Sequence, residues 1–326
     1  MKYSQVSILV PIYNVSPFIE RCAHSLFSQT YQDIEYVFVD DCTPDNSMER
    51  LAKVIERYPQ RKEQVKIIQH TNNKGIGATR NTLLDNACRQ YFLFIDSDDW
   101  IEPDMIELLY NKAKETQADI TVCDFFEELR NKNVIVTDVV FDDIDKNRYN
   151  IISATETRPC LWNKLIKRDL YNLCSRIPVD LNYGEDKCIA IQLYFHANKI
   201  AKVNKPLYHY VKYNVGSITA KDRSRKYFKN ALQYWNFLSD FLQKQDTKYI
   251  EKLDLEKVKH KASLMISTNS YSLRKEYAKM FYEEETIYFS QLKHGKWIIT
   301  FLIRHRLFVL AQIYHYGVVL LNRFSN

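Results

Sequence analysis

Short apolar runs alternate with stretches of helical periodicity over the first hundred residues. Val6 to Ile12 is largely apolar and rich in β-branched residues, and it predicts a first strand. Ser16-Pro17 opens a helix, since proline suits the first helical position, and Phe18, Ile19, Cys22 and Leu26 recur at helical spacing. Ile34 to Val39 reads as a second strand that ends in Asp40-Asp41. Leu51, Val54, Ile55 and Tyr58 mark a helix begun near Asp45-Asn46-Ser47, Val65 to Ile68 a third strand, and Arg80 to Gln90 a further helix. Tyr91 to Ile95 is the fourth strand, and the alternation predicts a parallel sheet with helices on both faces.

Beyond Pro103 the order loosens. Met105 to Thr116 predicts a helix, Asp119 to Asp124 a strand, Glu185 to Ala197 a helix, and Lys199 to Val203 and Leu207 to Tyr213 two strands. Residues 125–160 carry no pattern that decides between helix and strand. From about Arg225 the periodicity is helical and aromatic-rich, which suggests a separate region. The expected division is 1–220, itself made of halves 1–104 and 105–220, followed by a helical, basic region 221–326.

Composition narrows the class. Six glycines and eight prolines in 326 residues leave no low-complexity tract. Seven cysteines, with no C-x-x-C pair, favour reduced thiols in the cytosol over a disulfide framework or zinc site. Met1 to Val10 lacks a long apolar core or cleavage site, which argues against secretion. The net charge of +6 is local: Lys293, Lys296, Arg304, Arg306 and Arg323 follow Glu285, the last acid, leaving 41 bases against 40 acids over residues 1–285. A general nucleic-acid surface is therefore not expected.

The chemistry gathers at strand ends. Phe92-Leu93-Phe94-Ile95 runs into Asp96-Ser97-Asp98-Asp99, three carboxylates in four residues. In open α/β sheets ligands sit off the carboxyl ends of strands, and crowded carboxylates repel unless a cation lies between them. Hard oxygen ligands suit Mg²⁺ or Mn²⁺; a polar turn capping the next helix is the plain alternative. The first strand delivers Pro11-Ile12-Tyr13-Asn14, where Tyr13 could cover a flat base or belong to the core. Asp41 could accept from a ring N–H or serve a turn. Asn73 to Asn81 is a glycine-containing loop entering a helix, and Arg80 there could meet phosphate oxygens or make a surface ion pair.

Taken in order, VSILVPIYN, VDDCTPDNS, NKGIGATRN and FIDSDDW resemble inverting glycosyltransferase family 2, in its capsule- and lipopolysaccharide-type bacterial members. The resemblance covers roughly residues 5–220. It implies the GT-A fold, a mostly parallel central sheet flanked by helices, here with a helical C-terminal extension. Cys42 stands where such sequences commonly carry glycine. The resemblance implies a nucleotide-sugar donor, most commonly uridine-linked, held by Pro11, Tyr13, Asp41, Arg80, Asp96 and Ser97. It implies Mn²⁺ or Mg²⁺ at Asp98, with Asp99 beside it and the second ligand left open between Asp96 and Asp99. Asn182 to Lys187 resembles the GED element at a helix start, which implies Asp186 as catalytic base; a simple first-turn acid is the alternative. Leu161 to Leu165 resembles the WNKL segment, and Pro206 to Tyr210 with Ser217-Ile218-Thr219 the closing strand and loop. Lys212 and Tyr213 stand between those two pieces, where arginines are common. His209 reads as a strand residue rather than a metal ligand.

The expected reaction is metal-dependent transfer of a sugar to a hydroxyl of a glycan or polyprenyl-linked acceptor. Two rival readings are a sugar-nucleotide pyrophosphorylase, which would carry a glycine-rich basic loop where Tyr13-Asn14-Val15 stands, and a non-catalytic sugar-nucleotide-binding protein. The tail from Trp297 to Leu321 is mostly apolar but broken by Arg304-His305-Arg306. A spanning helix needs about 20 apolar residues, so a helix lying in the membrane interface fits better. Packing on the catalytic region, or a homodimer contact, is the alternative. The expected location is the inner face of the cytoplasmic membrane.

Overall fold

The computed structural model describes residues 5–214, 225–268, 270–292, 295–305, 307, 309–311 and 313–314. The chain divides into two units, Met1–Lys221 and Asp222–Asn326. In the first, β1 (Val6–Ile12), β2 (Ile34–Asp40), β3 (Val65–Gln69) and β4 (Tyr91–Phe94) are mutually parallel, in the order β3-β2-β1-β4. Helices α1 (Ile19–Phe27), α2 (Ser47–Glu56) and α3 (Ile76–Asn86) connect them. Every residue of β1 and β4 is buried, which is why both read as nearly continuous apolar runs. Full burial of side chains such as Phe92, Leu93 and Phe94 contributes about 1.5–3 kcal/mol each.

The second half of the sheet is mixed, which the alternating pattern did not predict. After β5 (Trp100–Ile101) and α4 (Met105–Thr116) come β6 (Ile120–Leu129), β7 (Lys132–Val136), α5 (Ile144–Ser153), β8 (Lys164–Lys167), α6 (Arg168–Tyr171), α7 (Glu185–His196) and β9 (Ile200–Val211). β8 inserts antiparallel between β4 and β6, β9 runs parallel to β6, and β5 pairs antiparallel with β9. The two strands expected over 199–213 are one strand whose register shifts near Asp124 of its partner, a bulge that hides its continuity in the sequence. The β6–β7 hairpin and α5 fill the segment that carried no pattern. Helix α3 begins at Ile76, four residues before Arg80, and its N-cap is Gly75.

The second unit holds α8 (Arg225–Leu242), α9 (Thr247–Ser267), α10 (Tyr271–Ala278), α11 (Tyr282–Tyr288) and α12 (Gly295–Arg304). Its core joins Ala262, Met265, Tyr277, Ile299, Ile303 and Ala311. No helix among the described residues is long and apolar enough to cross a membrane.

Candidate active site

The strand β4 releases its chain into a turn in which burial alternates. Ser97 and Asp99 are buried, while Asp96 and Asp98 are half-buried. Asp99 is held from both sides: its Oδ2 accepts from Tyr208 Oη at 2.6 Å and its Oδ1 from the Val211 amide at 2.8 Å. At 1 % exposure it ties the end of β9 to the turn. Asp99, expected beside the metal, thus has both of its oxygens facing protein donors. Burial, then the neighbouring Asp98 and Asp96 charges, hold its carboxyl well above the usual range. Asp98 accepts from Asn214 Nδ2 at 2.8 Å, and burial followed by Asp96 raises its pKa as well.

Arg80 is the hub. Its Nε donates to Glu185 Oε1 at 3.1 Å and its Nη2 to Asp96 Oδ1 at 3.2 Å, with the guanidinium carbon 5.0 Å from the Phe94 ring centroid. Its Nη1 is buried with no hydrogen-bond partner among the described residues, a costly state unless a ligand accepts from it. Burial opposes the Arg80 charge, but Asp96, Glu185 and Asp186 outweigh that and raise its pKa. The surface ion pair weighed for Arg80 is thus a buried one, which fixes α3 to the start of α7. Gly184 enters that helix at φ 71, and Glu185 and Asp186 occupy its first turn. Glu185 is pushed up to about 7 by burial and by Asp186, against the pull of Arg80. Asp186 is half-buried, and burial raises its pKa while Arg80 opposes the rise. Its Oδ1 accepts from the Lys187 amide at 2.7 Å.

Asp41, expected at the donor, is tied into the fold. Its Oδ1 accepts from His70 Nδ1 at 2.7 Å and from the Lys74 amide at 2.8 Å, and its Oδ2 from the Gly75 amide at 2.8 Å. With three protein donors and 3 % exposure, it braces the loop before α3. Gly75 needs its lack of a side chain: φ is +85°, and a Cβ would lie 2.2 Å from Asn182 Oδ1. Pro11 is buried in β1 opposite Val39. Tyr13 follows it and is 48 % exposed, so its ring is open to a flat ligand. Asn14 and Cys42 both sit at left-handed φ, 55° and 56°. A non-glycine residue costs about 1–2 kcal/mol there, which gives the physical sense of a glycine at the position Cys42 fills.

Other motif residues prove structural. His209 stacks between Trp100 at 3.4 Å and Phe126 at 4.5 Å, and its Nε2 pairs with Glu102 at 2.8 Å. Trp162 stacks on Tyr208 at 4.3 Å, the tyrosine that holds Asp99. Lys212 pairs with Glu127 at 3.3 Å. Ser217, Ile218 and Thr219 lie outside the described residues, as do Lys293, Arg306 and Arg323. Sequence reasoning missed Asn214, Tyr208 and Glu185. Tyr208 lies in the closing strand and Asn214 between that strand and the loop that follows, and Glu185 carries no signal beyond being the neighbour of Asp186.

Known proteins resemble this chain in sequence and in fold. The Glycosyl transferase family 2 profile matches residues 7–173. EpsH of Bacillus subtilis (strain 168) is 30 % identical over 276 residues, covering 82 % of this chain and 78 % of EpsH. Glycosyltransferase GlyA of Streptococcus pneumoniae is 31 % identical over 218 residues, 63 % of this chain but 30 % of GlyA. The chain thus spans less than a third of that relative. Among solved structures, S. aureus TarS 1-349 in complex with UDP-GlcNAc superposes with a TM-score of 0.58 at 19 % identity, covering 91 % of this chain and 79 % of that one. The mannosyltransferase PcManGT of Pyrobaculum calidifontis, in complex with GDP-Man and Mn²⁺, gives 0.50 at 15 % identity, covering 100 % and 89 %. The chain has the GT-A architecture, and it belongs to glycosyl transferase family 2: it is a glycosyltransferase.

Proposed function

We propose that this glycosyltransferase moves a sugar from a uridine diphosphate donor to a hydroxyl of a glycan or lipid-linked acceptor, with inversion, and that Asp186 is the base. One observation carries the reading. Arg80 bonds both Asp96, beside Asp98, and Glu185, beside Asp186, so carboxylates from distant segments surround one guanidinium. TarS has been captured with UDP and with UDP-GlcNAc, which supports the uridine base. The exposed Tyr13 ring offers that base a platform, and Arg80 Nη1 is a donor in want of an acceptor.

The residues fit a divalent metal. Among the described residues no three His, Cys, Asp or Glu side chains converge as an all-protein cage. Mg²⁺ and its kin commonly take one or two carboxylates and complete their shell with phosphate and water. Asp98 would hold the ion with Asp96 as the second ligand, since Asp99 is engaged elsewhere. When bound, the metal would neutralise charge growing on the departing diphosphate. Asp186, in the first turn of α7, accepts the proton of the acceptor hydroxyl as its oxygen attacks the anomeric carbon from the side opposite the leaving group. The Arg80–Glu185 pair fixes that helix start against α3.

The test is a panel of nucleotide sugars incubated with the chain and Mn²⁺ or Mg²⁺, with release of nucleoside diphosphate measured. At least one donor should be turned over, and only with metal. No release from any donor would overturn the catalytic reading and leave the non-catalytic binding one. In calorimetry Asp98→Ala should weaken donor binding at least tenfold with Mn²⁺ present and little without it.

A membrane seat belongs to the same reading. Helix α12 turns Ile299, Thr300 and Ile303 into the core of its unit and leaves Trp297, Ile298 and Phe301 exposed, the two aromatic rings stacked at 5.2 Å. Leu307, Val309, Leu310 and Ile313 are exposed beyond it. With no acid after Glu285 and five bases, this stretch suits an anionic lipid interface. Deleting the tail would also remove core residues Ile299 and Ile303. Trp297→Ser with Phe301→Ser is the cleaner probe. The wild type should sediment with phosphatidylglycerol vesicles and the double variant should stay in the supernatant; equal sedimentation would reject the seat.

A further inference from the structure

A groove outside the donor site has the lining of a sugar pocket. It measures about 320 Å³ and is bounded by Glu128, Leu129, Arg130, Asn133 and Tyr213, at the small end of ligand pockets. We infer that this groove, between the β6–β7 hairpin and the chain after β9, is a subsite for a saccharide ring of the acceptor.

Three observations carry it. The first is position. Tyr213 directly precedes Asn214, whose amide lies 2.8 Å from Asp98 Oδ2, so the residue next to the groove wall bonds the carboxylate turn. The inference rests on the reading of that turn as the donor site. The second is chemistry. Hydroxyl-rich rings are bound by flat aromatic faces together with fixed carboxylates, amides and guanidinium groups, and the lining supplies one of each. The third is availability. Arg130 and Asn133 make no side-chain hydrogen bond or ion pair within the described residues, although both line the groove. Ordinary surface side chains can be equally free, but these two flank a groove whose other wall runs on into Asn214, the partner of Asp98.

One wall of the groove is held firmly in place. Glu128 is 7 % exposed, and its carboxylate accepts from Trp100 Nε1 at 2.8 Å and from Arg21 Nη1 at 3.2 Å, with Tyr213 Oη at 3.5 Å. Trp100 follows Asp99 in the chain, so the wall and the turn share one anchor. The Tyr213 ring leans on Phe18 with centroids 6.3 Å apart and remains half-exposed. His209 Nδ1 lies 3.2 Å from the same carboxylate, so Glu128 serves chiefly to fix the wall while Tyr213, Arg130 and Asn133 face the groove.

The test uses the full chain with UDP and Mn²⁺ present and methyl α- and β-glycosides of glucose, galactose, N-acetylglucosamine and glucuronic acid as probes. Saturation-transfer NMR should show ring-proton signal from at least one glycoside. Tyr213→Ala, and separately Arg130→Ala with Asn133→Ala, should reduce that signal at least fivefold while the UDP signal persists. Donor hydrolysis by the Arg130→Ala, Asn133→Ala variant should proceed at the wild-type rate, with the loss confined to acceptor KM once an acceptor is in hand. No glycoside signal from wild type that binds UDP would overturn the subsite, and so would a signal that survives both sets of substitutions. Glycoside binding without UDP binding would instead overturn the donor-site reading and leave the groove standing.

Discussion

Asp186→Asn is expected to bind donor as the wild type does and to lose about 10²–10⁴-fold in kcat, the usual worth of a general base. The substitution keeps size and shape, and the amide oxygen can still accept from the Lys187 backbone. What disappears is the capacity to take a proton. Calorimetry with donor and metal, beside initial rates of nucleotide release with acceptor, separates the two effects. Near-normal turnover would remove Asp186 from the mechanism and leave it as a first-turn acid favoured by the helix dipole.

The pH profile carries a second signature of the same residue. Burial raises the Asp186 carboxyl, and Glu185 beside it is pushed up to about 7. Two acids this close lose their protons as a pair. A base works ionised, so kcat/KM should climb with pH along an acid limb displaced above the ordinary aspartate range and then level off. The stability of the ligand-free fold runs the other way. Folded carboxylates with raised pKa values bind more protons than the unfolded chain between roughly pH 4 and 7, so stability falls as pH rises through that window. Donor and metal, which favour the ionised form of Asp98, should recover part of it.

Much of this was legible before any coordinates. The β1–β4 layer could be read because parallel strands buried on both faces are written as apolar runs, and Asp40-Asp41 and Asp96 to Asp99 mark where those runs stop. What failed to show was pairing. Nothing in the spacing of Lys164 to Lys167 announces a short antiparallel strand slotted between β4 and β6. A single strand with a bulge reads as two strands because alternation breaks at Pro206. At the site, residue types were visible but partners were not. Asp41 and Asp99 look like free ligands in a sequence, and only the fold shows three amide and imidazole donors on one, and a tyrosine and an amide on the other. Asn214 was invisible for the same reason, since an asparagine after a strand carries no signal until its amide is seen against Asp98.

The segment Trp162-Asn163-Lys164-Leu165 illustrates the point most sharply, and Lys164→Met is the substitution expected to cost the most stability. Lys164 is 1 % exposed and donates to Asp138 Oδ2 at 2.9 Å, while Asp138 is 0 % exposed. Asn163 Nδ2 donates to the same oxygen at 2.9 Å and to the Cys123 carbonyl at 2.7 Å, and the Arg158 amide donates to Asp138 Oδ1 at 2.8 Å. Methionine keeps the volume but strips Asp138 of its counter-charge, and breaking a buried pair this way costs about 3–5 kcal/mol. Urea unfolding should show that loss as a lower midpoint. Adding Asp138→Asn should return part of it, so that the double variant loses less than the sum of the two single ones. The effect on catalysis should be much smaller at low temperature, where the variant stays folded. Through Asn163 the pair braces β8 against the long strand beside it, and Trp162 and Tyr208 link that strand pair to the carboxylate turn. A Lys164→Met protein as stable as the wild type would mean that the buried pair contributes nothing net to the fold. One with native stability and no turnover would move Lys164 from the scaffold into the reaction.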